Sequence, residues 1–280
     1  QSYSMSAVDD YGPVIDTIYD FAQDVGLTID TVIQEDGAGQ VEINLTHGDP
    51  VLLADQVFYF KRIIREAAFN HDMFATFMAK PFFEESGNGF HVHHSLWKDG
   101  KNIFADNGKL SDTGRHFVGG LQKRMSEAAI CGSPTVNGFR RRQPYTFCPI
   151  NNAWGLDNRT VAIRVIEGSD TATRVEKRDA GADCNPYLLL ATDIAAGLDG
   201  IEQAIEPSEM TTGNAYESET AEPIPTHLRD AIELARGSDW LKDVMGETQW
   251  EIYCQMCERE MEFFSAQVTQ VEIDRYMSNF

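Results

Sequence analysis

The chain is poor in basic residues, in cysteine and in long apolar runs, and each scarcity narrows what it can do. Twenty-three Lys and Arg stand against forty-four Asp and Glu, a formal net charge of -21 over 280 residues. Nucleic-acid binders draw their general affinity from basic surface, so that class is excluded. No apolar run approaches the roughly 20 residues that span a bilayer, and no signal-peptide pattern opens the chain, so a cytoplasmic protein with no membrane partner is expected. The five cysteines, Cys131, Cys148, Cys184, Cys254 and Cys257, lack a paired framework. Cys254 and Cys257 make a lone CxxC, weak grounds for zinc, and all five read as reduced thiols. The chain starts at Gln1 rather than Met, as expected of a processed chain or a piece of a longer one. What is present, 42% hydrophobic residues and four Trp, argues for a packed core rather than disorder.

Basic residues are scarce but not evenly spread. Seven of the fifteen arginines lie between Arg140 and Arg178; with Lys177 they face only Asp157, Glu167, Asp170 and Glu176, a local excess of four positive charges. Guanidinium forks suit phosphate and carboxylate, so this stretch is expected to bind an anion. A scatter of surface ion pairs is the plainer alternative.

The pattern predicts a helix over 10–26, with Ile15, Ile18, Tyr19 and Ala22 on one face and Gly26 as its stop. Strands over 28–34 and 40–45 flank a glycine-containing loop, the mark of a hairpin. Asp49-Pro50 opens a long helix to about residue 70. Further strands are predicted over 72–79, 89–97 and 158–166, and helices over 111–129, 185–205, 227–244 and 247–268. The stretch 206–226 reads as an exposed loop. Without a regular βαβ alternation, the expected class is α+β with a largely antiparallel sheet.

In Phe90-His91-Val92-His93-His94-Ser95-Leu96-Trp97, a strand would put His91, His93 and Ser95 on one face and Phe90, Val92, His94 and Leu96 on the other. Paired histidines on a strand also occur as ordinary polar surface. Arg174, Glu176 and Arg178 alternate likewise, pointing either to a site or to a cross-strand ion-pair ladder. Glu35 and Glu42 flank the hairpin loop and could converge on one cation. Oxygen-rich coordination with one imidazole suits Mg2+ or Mn2+ rather than structural zinc.

Taken in order, these segments resemble the glutamine synthetase family: Glu35-x6-Glu42, then Gly87-Asn88-Gly89-Phe90-His91-Val92-His93-His94-Ser95-Leu96, Asn137-Gly138-Phe139-Arg140-Arg141, Asn158 to Arg164, Arg174 to Arg178, and Asn185-Pro186-Tyr187. The resemblance runs from about residue 10 to the C-terminus. It is closest to the branch that joins glutamate to organic amines, such as gamma-glutamylputrescine synthetases, through segments 43–50 and 153–160. It implies a catalytic domain over 1–280 with a curved, largely antiparallel sheet flanked by helices, and no counterpart of the family's N-terminal β-grasp domain or of the first catalytic strand with two further metal-binding glutamates. It also implies ATP-dependent ligation of the glutamate γ-carboxylate to an amine, an alkylamine or polyamine, through a γ-glutamyl phosphate.

By resemblance, Glu35, Glu42, His91 and Glu176 bind Mg2+ or Mn2+. His93 and Ser95 lie near ATP; Arg159, Arg164 and Arg174 neutralise its phosphates; Arg141 and Arg178 hold glutamate and its phosphorylated form; and Gly87 borders the glutamate. His93, Arg159 and Arg178 carry the catalytic roles. A homo-oligomeric ring, whose sites form between neighbouring subunits, is implied too, and with it that this chain alone is inactive. One departure bears on substrate. Where ammonia-using relatives read Arg-Leu-Val-Pro-Gly-Tyr-Glu-Ala-Pro, this chain reads Arg141-Arg142-Gln143-Pro144-Tyr145-Thr146-Phe147-Cys148-Pro149. Phe147 takes the place of the acid that helps bind ammonium. An ammonia-dependent glutamine synthetase and a catalytically inactive structural or regulatory relative are the alternatives.

Overall fold

The computed structural model describes residues 5–279. Helices α1 (Met5–Asp10) and α2 (Gly12–Asp24) lead to the hairpin of β1 (Ile29–Gln34) and β2 (Val41–Leu45), followed by α3 (Pro50–Asn70). After a long irregular segment come β3 (Val92–His94), the two small hairpins β4 (Trp97–Lys98) with β5 (Lys101–Asn102) and β6 (Ala105–Asp106) with β7 (Lys109–Leu110), and α4 (Asp112–Arg124). Short helices α5 (Ala129–Gly132) and α6 (Val136–Phe139) precede β8 (Trp154–Leu156), β9 (Ile163–Ile166) and β10 (Arg174–Lys177). Then follow α7 (Pro186–Glu202), a 3-10 turn (Ala215–Glu217), α8 (Leu228–Arg236), α9 (Asp239–Met245), α10 (Glu247–Ser265) and α11 (Gln270–Tyr276). The mixed class and the largely antiparallel sheet are as expected: the order is β3-β10-β9-β8, with only β8 and β9 parallel.

Local chemistry fixes the long helices. Asp49 accepts from the amides of Val51 and Leu52, each at 3.0 Å, ahead of Pro50. Asn185 does the same for Tyr187 and Leu188 ahead of Pro186. Each cap satisfies amides that the first turn leaves unpaired. The main core lies between the sheet and α4 and α7, built from Phe104, Phe117, Leu121, Ile163, Val165 and Val175. Glycines let α4 and α7 touch through their backbones: a Cβ on Gly120 would sit 2.0 Å from the Ala196 carbonyl. A second core gathers α5, α8, α9 and α10. A third, small and separate, holds α2, α3 and the β1–β2 hairpin together through Val14, Ile18, Ala22, Leu27, Phe60 and Ala67.

The structure corrects several boundaries. Helix α2 buries Val14, Ile18 and Ala22, while Tyr19 is exposed. Residues 72–79 form no strand: Phe74 is 91% exposed, and the segment finds no partner strand. The expected strand over 158–166 starts only at Ile163, because the Asn158 side chain accepts from the Thr160 amide and turns the chain there. The expected helix over 227–244 breaks at Gly237, and Ser238 caps a new one by accepting from Leu241. The helix over 111–129 ends at Arg124.

Candidate active site

Strand β10 supplies the centre of the site. Its register sets Glu176 opposite His93 of β3 on one side and Arg164 of β9 on the other. Alternation does the sorting: Val175 and Lys177 point into the core, while Glu176 shares its face with the charged row. Glu176 is nearly buried, and its two oxygens are crowded. One accepts from Arg178 Nη1 at 2.7 Å and lies 3.3 Å from His91 Nδ1 and 4.0 Å from His93 Nε2; the other accepts from Arg164 Nη1 at 3.2 Å. Burial works to raise the Glu176 pKa, but the His91 contact and the Arg178 charge hold it well below the usual carboxylate range.

Burial also lowers both imidazoles. His93 falls to about 4 despite the opposing charge of Glu176. His91 moves the same way, with Arg178 and Arg141 adding to the effect and Glu176 opposing it. Both rings are therefore neutral at pH 7, the form that can accept a hydrogen bond or ligate a metal. Arg174 Nε donates to His93 Nδ1 at 3.1 Å, which leaves the ring proton on Nε2, toward Glu176.

Arg141 enters from the loop that follows α6 and is buried. Its side chain runs so close to Gly87 that a Cβ there would sit 2.5 Å from Arg141 Cγ, so this position requires glycine. A Cβ on Gly89 would meet His91 Nε2 at 2.9 Å and Arg141 Nη2 at 3.3 Å, which places the His91 and Arg141 heads side by side. The Nε donors of Arg141 and Arg178 are buried with no hydrogen-bond partner. Buried donors without an acceptor are costly, and an anionic ligand is the natural acceptor here.

Gln40 fastens the hairpin loop to the 85–89 segment, donating to the Gly87 carbonyl at 3.1 Å and to Asn88 Oδ1 at 2.7 Å. Glu35 has its pKa raised by burial and then by the charge of Glu42, and it also feels Arg159. Glu42 accepts from Asn44 at 3.0 Å. Among the described residues no three His, Cys, Asp or Glu side chains gather into a metal-holding group.

The remaining predicted residues are more dispersed. Ser95 is exposed and accepts from the Trp97 indole at 3.0 Å. Arg159 is exposed. Arg164 is engaged by Asp157 as well as by Glu176. Phe147, with a φ of 59°, and Tyr145, with 64°, both stand in the left-handed region on the 141–149 loop, and both rings are exposed. For bulky side chains that conformation costs about 1–3 kcal/mol each and concentrates at functional sites. Thr146 ties the loop down by donating to the Arg141 and Gln143 carbonyls.

Sequence reasoning missed what lies behind and beside this face. Lys177, Asp179 and Asp193 form a buried ion cluster on the opposite side of β10. The signal was available: alternation with Glu176 puts Lys177 on the core side, where a charge demands a partner, and Asp193 interrupts the mostly apolar first half of α7. Tyr216 and Glu217, in the stretch read as loop, lie against the Phe147 segment; only tertiary structure brings them there.

Residues 1–276 match the family described as glutamine synthetase, catalytic domain, and the chain belongs to that family. The glutamine synthetase of Thermococcus kodakarensis is 34% identical over 90% of this chain and 61% of its own length. The glutamate–isopropylamine ligase of a Pseudomonas species is 35% identical, over 98% and 61% respectively. The gamma-glutamylethanolamide synthetase GlnA4 of Streptomyces coelicolor is 38% identical, over 98% and 59%. The chain thus spans about three-fifths of the length of these relatives. A solved structure of GmaS without ligand superposes with a TM-score of 0.90 at 31% identity, covering 99% of this chain and 65% of that one. A GmaS–ADP complex gives 0.91 at 30% identity, covering 99% and 66%. Among the described residues no helix is long and apolar enough to cross a membrane.

Proposed function

We propose that this chain is the catalytic portion of an ATP-dependent ligase that joins the γ-carboxylate of glutamate to an amine. The observation that carries the reading is the pair of orphaned, buried guanidinium donors on Arg141 and Arg178, set beside Glu176 and two neutral imidazoles. In the reaction the γ-phosphoryl group of ATP passes to the carboxylate oxygen, releasing ADP and giving an acyl phosphate. The amine nitrogen then attacks the acyl carbon, phosphate leaves, and the amide nitrogen loses a proton. Arg141 and Arg178 hold glutamate and its phosphorylated form, the Gly87 backbone borders the glutamate, and Arg159, Arg164 and Arg174 face the nucleotide phosphates with His93 and Ser95 beside them. Fixed positive groups of this kind stabilise charge on a transferring phosphoryl group.

The donor types suit Mg2+ or Mn2+, two mutually repelling hairpin carboxylates with one imidazole and Glu176, although the four are not gathered into one group in this structure. Glu35, Glu42, His91 and Glu176 would hold it, and it would shield the phosphate oxygens from one another. A first set of ligands is expected from an N-terminal β-grasp region and its adjoining strand, and a neighbouring subunit of a homo-oligomeric ring is expected to complete each site. This chain alone is therefore expected to turn over no ATP.

Phe147 favours an organic amine over ammonium. Burying a small cation beside an apolar ring without counter-charge is costly, whereas alkyl carbon gains about 0.8 kcal/mol per buried CH₂. The glutamate–isopropylamine and gamma-glutamylethanolamide relatives support this side, and the glutamine synthetases support ammonia. Phosphate release by the full-length polypeptide, with glutamate, ATP and each acceptor in turn, decides between them. The expected result is a much higher kcat/KM for a primary alkylamine or polyamine than for ammonium, with Phe147→Glu shifting the ratio toward ammonium. Ammonium as the best wild-type acceptor would leave glutamine synthetase in its place.

A further inference from the structure

We propose that Tyr145, Tyr216 and Glu217 form a second recognition point for the acceptor, one that takes a cationic group at the end remote from the reacting nitrogen. The inference rests on the amine-ligase reading and narrows its substrate to an amine with a second positive centre.

Two segments far apart in sequence build this point. Tyr145 comes from the 141–149 loop and Tyr216 from the 3-10 turn, and their rings stand 5.2 Å apart at 45°. Tyr216 is pinned by donating to the Cys148 carbonyl at 3.1 Å, whereas Tyr145 is 66% exposed. Glu217 carries the charge. Its Oε1 accepts from Tyr145 Oη at 3.3 Å and from Asn214 Nδ2 at 2.9 Å. Both donors are neutral, and among the described residues no Lys, Arg or His lies within ion-pair distance of this carboxylate. An acid oriented by two neutral donors, beside an exposed aromatic face, has the makings of an organic-ammonium site.

The location fits. The loop that carries Tyr145 is tied to Arg141 by Thr146, which donates to the Arg141 carbonyl at 2.9 Å, Tyr216 feels the charges of Arg178 and Arg141, and Phe147 sits two residues from Tyr145. The site is thereby divided by sign: guanidinium groups on one side for the anionic co-substrates, and tyrosine faces with one unpaired carboxylate on the other. A monoalkylamine needs only the apolar contact of Phe147. A carboxylate held against Tyr145 has a use for an acceptor with a second charge. If Glu217 merely anchored the loop, it would be indifferent to the far end of the acceptor.

The test compares matched acceptors on the full-length polypeptide: an α,ω-diaminoalkane, the n-alkylamine of equal length, and the mono-N-acetylated diamine, which loses its far charge without any change in the protein. The wild type is expected to favour the diamine over both others by about tenfold in kcat/KM, chiefly through KM, a ratio within the range of one cation–π contact joined to one charge pair. Glu217→Gln and Tyr145→Leu should each shrink that ratio, and Tyr145→Phe, which keeps the ring, should retain part of it. A wild type that prefers alkylamines to ammonium but treats diamine and n-alkylamine alike would overturn this inference and leave the ligase reading standing. So would a Glu217→Gln variant that weakens both amines equally. Ammonium as the best acceptor would remove the reading beneath it.

Discussion

Lys177 of β10 and Asp193 of α7 form an ion pair of 2.9 Å on the face of the sheet turned away from the site. The same ammonium group reaches Asp179 at 2.8 Å, and Arg142 approaches Asp179 from the other side at 3.5 Å. All four residues are buried. The cluster clamps β10 to α7 directly beneath Glu176 and Arg178.

Removing Lys177 would leave Asp193 in the core without its ammonium partner and Asp179 with Arg142 alone, at 3.5 Å. Breaking one partner of a buried pair typically costs about 3–5 kcal/mol, so Lys177→Met should lower the urea midpoint by that equivalent. A loss below about 1 kcal/mol would mean that water reaches the cluster.

His91, just ahead of β3, and His94, at its end, have different partners and should behave differently. His91 contacts Glu176, whereas His94 lies 3.4 Å from Asp193 and packs on Phe117. Calorimetric titration of the full-length polypeptide with Mn2+ should show weakened binding for His91→Ala. His94→Ala should instead lower the melting temperature and leave Mn2+ affinity near wild type. Equal loss of affinity in both would remove His91 from the proposed ligand set.

Burial makes the thiols inert. It pushes Cys257 and Cys184 up to about 12 and Cys254 to about 11, above an ordinary 9.0. Iodoacetamide at pH 8 should therefore leave these three unmodified until denaturant is added. The linkage is of the raised kind: the folded state keeps protons that the unfolded chain releases above about 9. The stabilisation is full below that value and drains away as pH climbs toward about 11–12, so denaturation midpoints should fall across that window. Alkylation of Cys254 or Cys257 in the native protein at pH 8 would show that α10 opens readily.

The sequence disclosed what is decided locally. The Asp49-Pro50 helix start, the glycine loop of the hairpin and the alternation of β3 and β10 each depend on neighbours a few residues away, and each was legible. Residues 72–79 were not, because a strand exists only if another strand pairs with it, and this mostly apolar run has no such partner among the described residues. Helix α8 shows a signal overlooked rather than absent: Gly237-Ser238 carries both a stop and a new cap. In the site, motif order located the residues of the β3–β10 face. Lys177 with Asp193 and Tyr145 with Glu217 are pairings between distant segments, which no local pattern encodes.

Glu35 and Glu42 belong to a lobe with its own small core, while Glu176 and the arginines stand on the main one. Side chains cross between the lobes at few points, Gln40 at the hairpin tip and Lys61 of α3, which donates to the Ala182 carbonyl at 2.6 Å, among them. A polyanion gripped by carboxylate-held metal on one side and guanidinium on the other would act as a strut, added to the packing of α3 on α7 that already joins the two lobes. On that view stiffness at this place is something the protein acquires from its cargo.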